Sequence, residues 1–507
     1  MPGLILRCGG RAKRLNILLA ISDDQSWPHA GAYGCDFVKT PAFDRIAEEG
    51  ILFTHGYCPA PQCSPCRAAL LTGRNIWQLE EAGTHASLFP GKYQVYPELL
   101  EASGYFVGYT GKPWGPGNWQ DCGRKRNPAG QEFNRHSITA DTSEIGSTDY
   151  AGNFKDFLEA RPDGQPFCFW YGAREPHRTY EQGSGLRAGK KLEDVEVPPF
   201  LPDTKAVRSD LLDYALEIEW FDRHLARMLQ ILEDLGELDQ TLLIVTSDNG
   251  MPFPRAKANL YEYGTHMPLA IRWGDRIRGG RTVDDLVSFI DLAPTFLEAA
   301  GLETPPTMTG RSLMKILDSS RSGRIDPERE YVLTGRERHT HTRPDNLGYP
   351  SRALRTAEYL YICNFKPDRW PAGDPPGYHD IDDYDSPSKA ALIENVEEEE
   401  AQRLFDLAIG KRPAEELYAV ENDPGCLHNL ADDLAYERIR DNLHAELERV
   451  LTAQGDPRVL GYGDIFESYP RFNRMRDLEG FKEYGKYNPK FIQEGQYVPE
   501  HLLPESH

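Results

Sequence analysis

The chain reads as an α/β protein: a large, mostly parallel sheet sandwiched by helices, followed by a smaller α+β part. Three observations predict this. From residue 16 to about 315, short apolar runs alternate with amphipathic stretches, the pattern of strands covered by helices on both faces. The segment Ser209 to Leu235 carries Leu211, Ala215, Ile218, Phe221, Leu225, Met228 and Leu232 at spacings of three and four, which predicts one long helix. After about residue 320 the alternation breaks down, and a Pro/Asp-rich stretch, Lys366 to Lys389, precedes an acidic helix and the strand-like Glu416-Leu417-Tyr418-Ala419.

The predicted strands are Asn16 to Ser22, Tyr105 to Thr110, Phe167 to Tyr171, Leu242 to Thr246 and Leu269 to Trp273. Four run directly into polar residues: Asp23-Asp24, Gly111-Lys112, Arg174-Glu175-Pro176-His177 and Ser247-Asp248-Asn249-Gly250. Ligands of open α/β sheets bind just beyond the carboxyl ends of the strands, so these motifs are expected to converge. The domain organisation that follows is a catalytic part over 1–330, a C-terminal subdomain with a small antiparallel sheet over 331–457, and a wrapping tail, rich in Tyr, Phe and Pro, over 458–507. Glu397 to Glu400 reads as a solvated helix face.

Composition sets outer limits. With 507 residues, 39% hydrophobic and 11% aromatic, a packed core is available and wholesale disorder is excluded. A net charge of −22 and a pI near 5.1 argue against a nucleic-acid partner, because the long-range field repels polyanions; a polyanionic substrate would need a local basic pocket. The apolar runs are at most about a third of the roughly 20 residues a membrane span requires, so no membrane partner is expected. Arg7, Arg11, Lys13 and Arg14 precede a short apolar stretch without a cleavage site, and nine scattered cysteines suit a reducing compartment. These features favour a cytoplasmic location, with a periplasmic or secreted one if a leader was removed. Oligomeric state is not legible.

The sharpest local signal is Cys63-Ser64-Pro65-Cys66-Arg67, followed by Ala-Ala-Leu-Leu-Thr72-Gly73. Cys63 and Cys66 form a C-x-x-C, open to a redox or zinc reading, although there is no second pair. Cys-x-Pro-x-Arg with Leu-Thr-Gly resembles the signature of the type I sulfatases throughout its eleven residues. The resemblance implies an alkaline-phosphatase-like sulfatase fold, and a cysteine oxidised to formylglycine (3-oxoalanine) by a separate formylglycine-generating enzyme. It also implies covalent catalysis, in which a geminal diol attacks sulfur through one hydroxyl and expels sulfate through the other.

Asp23-Asp24 and Asp248-Asn249 each have an ordinary reading as capping or turn residues. Together they make a hard oxygen set suited to Ca²⁺, with Mg²⁺ possible, rather than to zinc. By resemblance, Asp23, Asp24, Asp248 and Asn249 bind the metal, Arg67, Lys112 and Lys257 neutralise the sulfate, and His177 protonates the leaving group. One departure stands out: where many sulfatases read Gly-Lys-x-His, this chain has Gly111-Lys112-Pro113-Trp114. The usual base is absent, leaving His177, His85, His266 or a pocket reshaped by Trp114 to serve instead.

Ser247-Asp-Asn-Gly-Met-Pro-Phe-Pro254, Asn259-Leu-Tyr261, Gly264-Thr265, Gly83-x-His85 and Tyr349-Pro350-x-Arg352 resemble the heparan N-sulfatases. That makes N-sulfoglucosamine the first expected substrate and an O-sulfated sugar the second. Candidate substrate contacts are His85, Trp114, His266, Arg336, His339 and Arg352. Two other readings compete: a phosphate or phosphonate monoester hydrolase on the same architecture, and a glycan-binding relic, for which a retained nucleophile would be superfluous.

Overall fold

The computed structural model describes residues 15–380, 386–394 and 398–505. Its large sheet contains β1 (Asn16–Ser22), β2 (Ile51–Tyr57), β3 (Phe106–Gly111), β4 (Gln131–Glu132), β5 (Phe167–Gly172), β6 (Thr241–Ser247), β7 (His266–Arg272), β8 (Arg281–Val283) and β9 (Val287–Ser288). The order is β4-β3-β5-β1-β6-β7-β2-β8, with β9 beside β2.

β1 lies at the centre and is buried along its whole length. Its side chains alternate, as a pleated strand requires: Ile17, Leu19 and Ile21 enter one hydrophobic cluster, Leu18 and Ala20 the other. The long helix, Lys205–Asp234, covers the second face with Phe221, Leu225 and Met228. It begins at Lys205, four residues ahead of the predicted start, and is capped by Thr204, whose hydroxyl accepts from the Val207 N–H at 3.2 Å.

The parallel register decides where function can sit. Ile21 pairs with Gly172, Gly111 with the same Gly172, and Ser22 with Ser247. The carboxyl ends of β1, β3, β5 and β6 are therefore level, and the residues that follow them leave the sheet at one edge. β7 is a different case: it runs antiparallel to β6, with Val245 opposite Ala270, and antiparallel to β2. A buried apolar run looks alike in either direction, so the sheet is mixed and mostly parallel.

The smaller sheet is antiparallel throughout, in the order β10 (Val332–Arg336), β11 (Ser351–Arg355), β12 (Tyr359–Asn364) and β13 (Glu415–Ala419). The tail buries Phe466, Tyr469, Tyr487 and Leu502 in the main hydrophobic cluster, so it is part of the packed body. Glu399 and Glu400 open a helix with their side chains exposed. Glu397 and the basic first fourteen residues lie outside the described residues, as do 381–385 of the Pro/Asp-rich stretch. Among the described residues no helix is long and apolar enough to cross a membrane.

Candidate active site

The floor of the site is laid by chain segments leaving β1 and β6. Asp24 takes a left-handed backbone conformation, φ 75°, which aspartate tolerates better than most residues, and its N–H donates to Asp248 Oδ1 at 3.1 Å. Cys63 opens the helix Cys63–Thr72, which ends on Gly73 at φ 62°. Its Sγ lies 3.4 Å from Asp23 Oδ1 and 3.9 Å from Asp24 Oδ1. Ligand atoms of Asp23, Asp24, Cys63 and Asp248 all fall within 4.8 Å of one another, and all four residues are buried.

Asn249 completes this group. Its Nδ2 donates to Asp24 Oδ1 at 2.7 Å, which leaves the buried Oδ1 without a partner. An unpaired buried acceptor is costly and calls for an explanation. Three carboxylates and one amide oxygen form the all-oxygen donor set that a hard divalent cation takes, and the residues present fit such an ion.

Three cations balance the three carboxylates. Arg67, one turn after Cys63 and fully buried, donates from Nε to Asp248 Oδ2 at 2.8 Å and from Nη1 to the Lys112 and Pro113 carbonyls. Lys112 Nζ reaches Asp23 Oδ2 at 2.5 Å, and Lys257 Nζ reaches Asp24 Oδ2 at 2.6 Å. Burial pushes the Asp23 and Asp24 carboxyls up, but Lys112 on the one and Lys257 on the other outweigh it, and both sit below the usual carboxylate range. Burial, then Asp23, pushes Asp248 up. Both lysines are raised, since their carboxylates more than offset burial. His177 presents Nε2 3.8 Å from Asp24 Oδ2, while Nδ1 lies 2.5 Å from the Arg178 carbonyl; that contact assigns the ring proton to Nδ1 and leaves Nε2 facing the site.

Cys63, Lys112, His177 and Lys257 line a cavity of about 210 Å³, together with His85 and His339. Two of the candidate substrate contacts are thus brought to the site, and four are placed elsewhere. Trp114 is buried, its Nε1 donating to the Ser64 carbonyl at 3.1 Å and its ring set edge-on to Phe89; the indole supports the nucleophile helix from behind. His266 stacks on Trp27 at 4.5 Å and lies 3.2 Å from Glu262. Arg336 is held by Asp380 and the Pro371 carbonyl, and Arg352 by Asp456 and Glu337. These last three are buried groups, each held by a carboxylate within its own part of the chain.

The structure adds residues that the motifs did not name. Arg178, Thr340, Arg471, Asn473 and Arg474 also line the cavity. The run Arg471 to Arg476, with three arginines in an acidic chain, was the available signal. A second cavity of about 550 Å³ shares Lys112, Pro116, His177 and Arg178 with the first, and is lined in addition by Arg174, Glu144, Glu175 and Glu217.

Fixed cations around a nucleophile position, beside a pocket for a hard ion, serve displacement at a centre ringed by anionic oxygens; the class of protein is a hydrolase of oxyanion esters. Family comparison narrows it. The Sulfatase family matches residues 15–302, more than half of the chain, and the chain belongs to that family; it is a hydrolase of sulfate esters or sulfamates, with the alkaline-phosphatase-like fold of sulfatases. A second family, N-sulphoglucosamine sulphohydrolase, C-terminal, matches residues 255–370.

Among relatives, the human N-sulphoglucosamine sulphohydrolase is 28% identical over 505 residues, covering 90% of this chain and 94% of its own. An ulvan-active sulfatase of Formosa agariphila is 27% identical over 485 residues, covering 89% and 77%. A protein solved in complex with its substrate D-glucosamine-2-N,6-O-disulfate superposes with a TM-score of 0.63 at 21% identity, covering 88% of this chain and 99% of that one.

Proposed function

We propose that the protein releases sulfate from a sulfated sugar, N-sulfoglucosamine first, using formylglycine made from Cys63 and Ca²⁺ held by Asp23, Asp24, Asp248 and Asn249. The observation that carries this is the placement of Cys63 at a helix start, within 3.4 Å of a carboxylate cluster and on the wall of a cavity shared with two lysines and His177. The family match over 255–370 and the human relative favour the N-sulfated sugar.

When present, the hydrated aldehyde supplies a diol nucleophile and the metal supplies a Lewis acid for a sulfate oxygen. The chain's own residues do the rest. Arg67, Lys112 and Lys257 match the three carboxylates, so a bound divalent ion would leave the floor with a net charge of about +2, and the two lysines on the cavity wall attract a sulfate ester and stabilise the charge that develops as its bond to sulfur breaks. Arg67 holds Asp248 and the Lys112 carbonyl in place. His177 Nε2 faces the cavity with its lone pair, so it takes up a proton there first and then passes it to the leaving nitrogen or oxygen. His85, kept neutral first by burial and then by the adjacent His339, is the base available in the cavity where Trp114 has withdrawn into the core.

An O-sulfated sugar is the second reading, because the ulvan-active sulfatase is as similar as the human enzyme. The test is sulfate release, by ion chromatography, from N-sulfoglucosamine and a panel of O-sulfated sugars, with protein co-expressed with a formylglycine-generating enzyme. Release from the N-sulfated sugar and its loss in a folded Cys63→Ala variant is the expected result. Release only from O-sulfated members discards the first substrate, and faster turnover of an aryl phosphonate than of the matched aryl sulfate changes the reaction class.

A further inference from the structure

We infer that the tail loop Arg471 to Arg474 forms a second anion site in the cavity, so that the substrate is a sulfated sugar carrying another anionic group, a second sulfate or a carboxylate. This rests on the reading of the protein as a sugar sulfatase. The part of the cavity wall formed by the tail is tied to distant chain segments by hydrogen bonds. Arg471 Nη1 donates to the His339 carbonyl and its Nε to the Arg474 carbonyl at 3.2 Å. Phe472 N–H donates to the Ala86 carbonyl at 2.6 Å, and Arg474 N–H to Asn473 Oδ1 at 2.7 Å. The loop that presents Arg474 is therefore held in place before any ligand arrives.

The charge on this wall is one-sided. Beyond the floor, the cavity is lined by His85, His339, Arg178, Arg471 and Arg474, with no carboxylate among the described lining residues. Arg178 is satisfied by a two-point pair with Asp210. Arg474 is exposed, and among the described residues no carboxylate lies within ion-pair distance of its guanidinium. In a chain of net charge −22, an unpaired arginine beside two others is a local reversal of the field, and a guanidinium is suited to two-point recognition of carboxylate or sulfate. The neighbouring 550 Å³ cavity carries Glu144, Glu175 and Glu217 and would repel the same group, so the second anion is directed to the tail side.

The test is calorimetric titration of the full chain bearing Cys63→Ala, in Ca²⁺, with three sugars: N-sulfoglucosamine, glucosamine N,6-O-disulfate, and N-sulfoglucosamine joined to a hexuronic acid. At least one doubly anionic sugar should bind about tenfold tighter than the monosulfated one, the equivalent of one charge-assisted contact, and whichever gains identifies the second anion. Arg474→Gln should erase that gain while leaving N-sulfoglucosamine unchanged, and Arg474→Lys should restore part of it. Equal affinity for all three sugars, or uniform weakening by Arg474→Gln, overturns the second site. Failure of all three to bind overturns the sugar reading itself, and is told apart because the monosulfated sugar is then silent as well.

Discussion

Two buried clusters in this protein have the same charge inventory and opposite uses. The floor beside Cys63 holds Asp23, Asp24 and Asp248 against Arg67, Lys112 and Lys257. Behind the small sheet, Glu337, Asp456 and Glu467 stand against Arg352, Arg458 and Arg369, at distances from 2.6 to 3.4 Å. Burial and composition do not tell them apart. Each cluster also takes a backbone donor: Gly348 N–H on Glu467 at 2.8 Å and Asp24 N–H on Asp248 at 3.1 Å. In the floor an acceptor, Asn249 Oδ1, is left open, and the group borders a cavity. A spare buried acceptor beside a cavity wall separates a site from a support.

The comparison breaks most easily at Arg352. Arg352→Ala should destabilise the fold by about 3–5 kcal/mol, because buried Asp456 loses its cation and Glu337 keeps only Arg458, while turnover per folded molecule stays the same; chemical denaturation and active-site titration check both halves. A fall in turnover at unchanged stability would return Arg352 to the substrate.

A smaller effect sharpens the other side. Ca²⁺ at about a hundred times its dissociation constant should raise stability by about 2.7 kcal/mol, read as a melting shift that a chelator reverses. Mg²⁺ should do less, since it demands stricter octahedral geometry. Asn249→Ala should abolish the Ca²⁺ shift, with the metal-free variant within about 1.5 kcal/mol of metal-free wild type. A full shift in that variant would remove Asn249 from the ligand set.

The smallest effect is reserved for Trp114→Phe. Losing the indole donor to Ser64 should cost about 0.5–1.5 kcal/mol and leave kcat/KM alone. A large fall in kcat/KM without loss of stability would put the ring back in the substrate's path.

Most of the floor was legible because its residues sit in short motifs at a strand end or helix start, where local sequence and topology coincide: Asp23-Asp24 after β1, Asp248-Asn249 after β6, Lys112 after β3; Lys257, in the loop between β6 and β7, was named by family resemblance alone. What was not legible depends on tertiary placement. Antiparallel β7 and parallel β6 present the same apolar run. β2, Ile51–Tyr57, was missed because half-buried Thr54 and His55 interrupt its apolar pattern. His266, Arg336 and Arg352 carry the residue types of a sulfated-sugar site, yet carboxylates claim them, Glu262 four residues before His266 and Asp380 and Asp456 from farther along the chain for the two arginines. Trp114 follows the lysine of the site in sequence but turns into the core, where the Ser64 carbonyl accepts its proton.

The acidic floor draws on residues 23 to 257, whereas the cavity's tail arginines arrive with residues 471 to 474. On the proposed reading, bond breaking and choice of substrate are written in different stretches of the gene. A change in the loop between Tyr469 and Tyr487, both anchored in the core, would then redirect the enzyme to another sugar without disturbing the floor, and drift in that loop is where relatives with the same chemistry would be expected to part company.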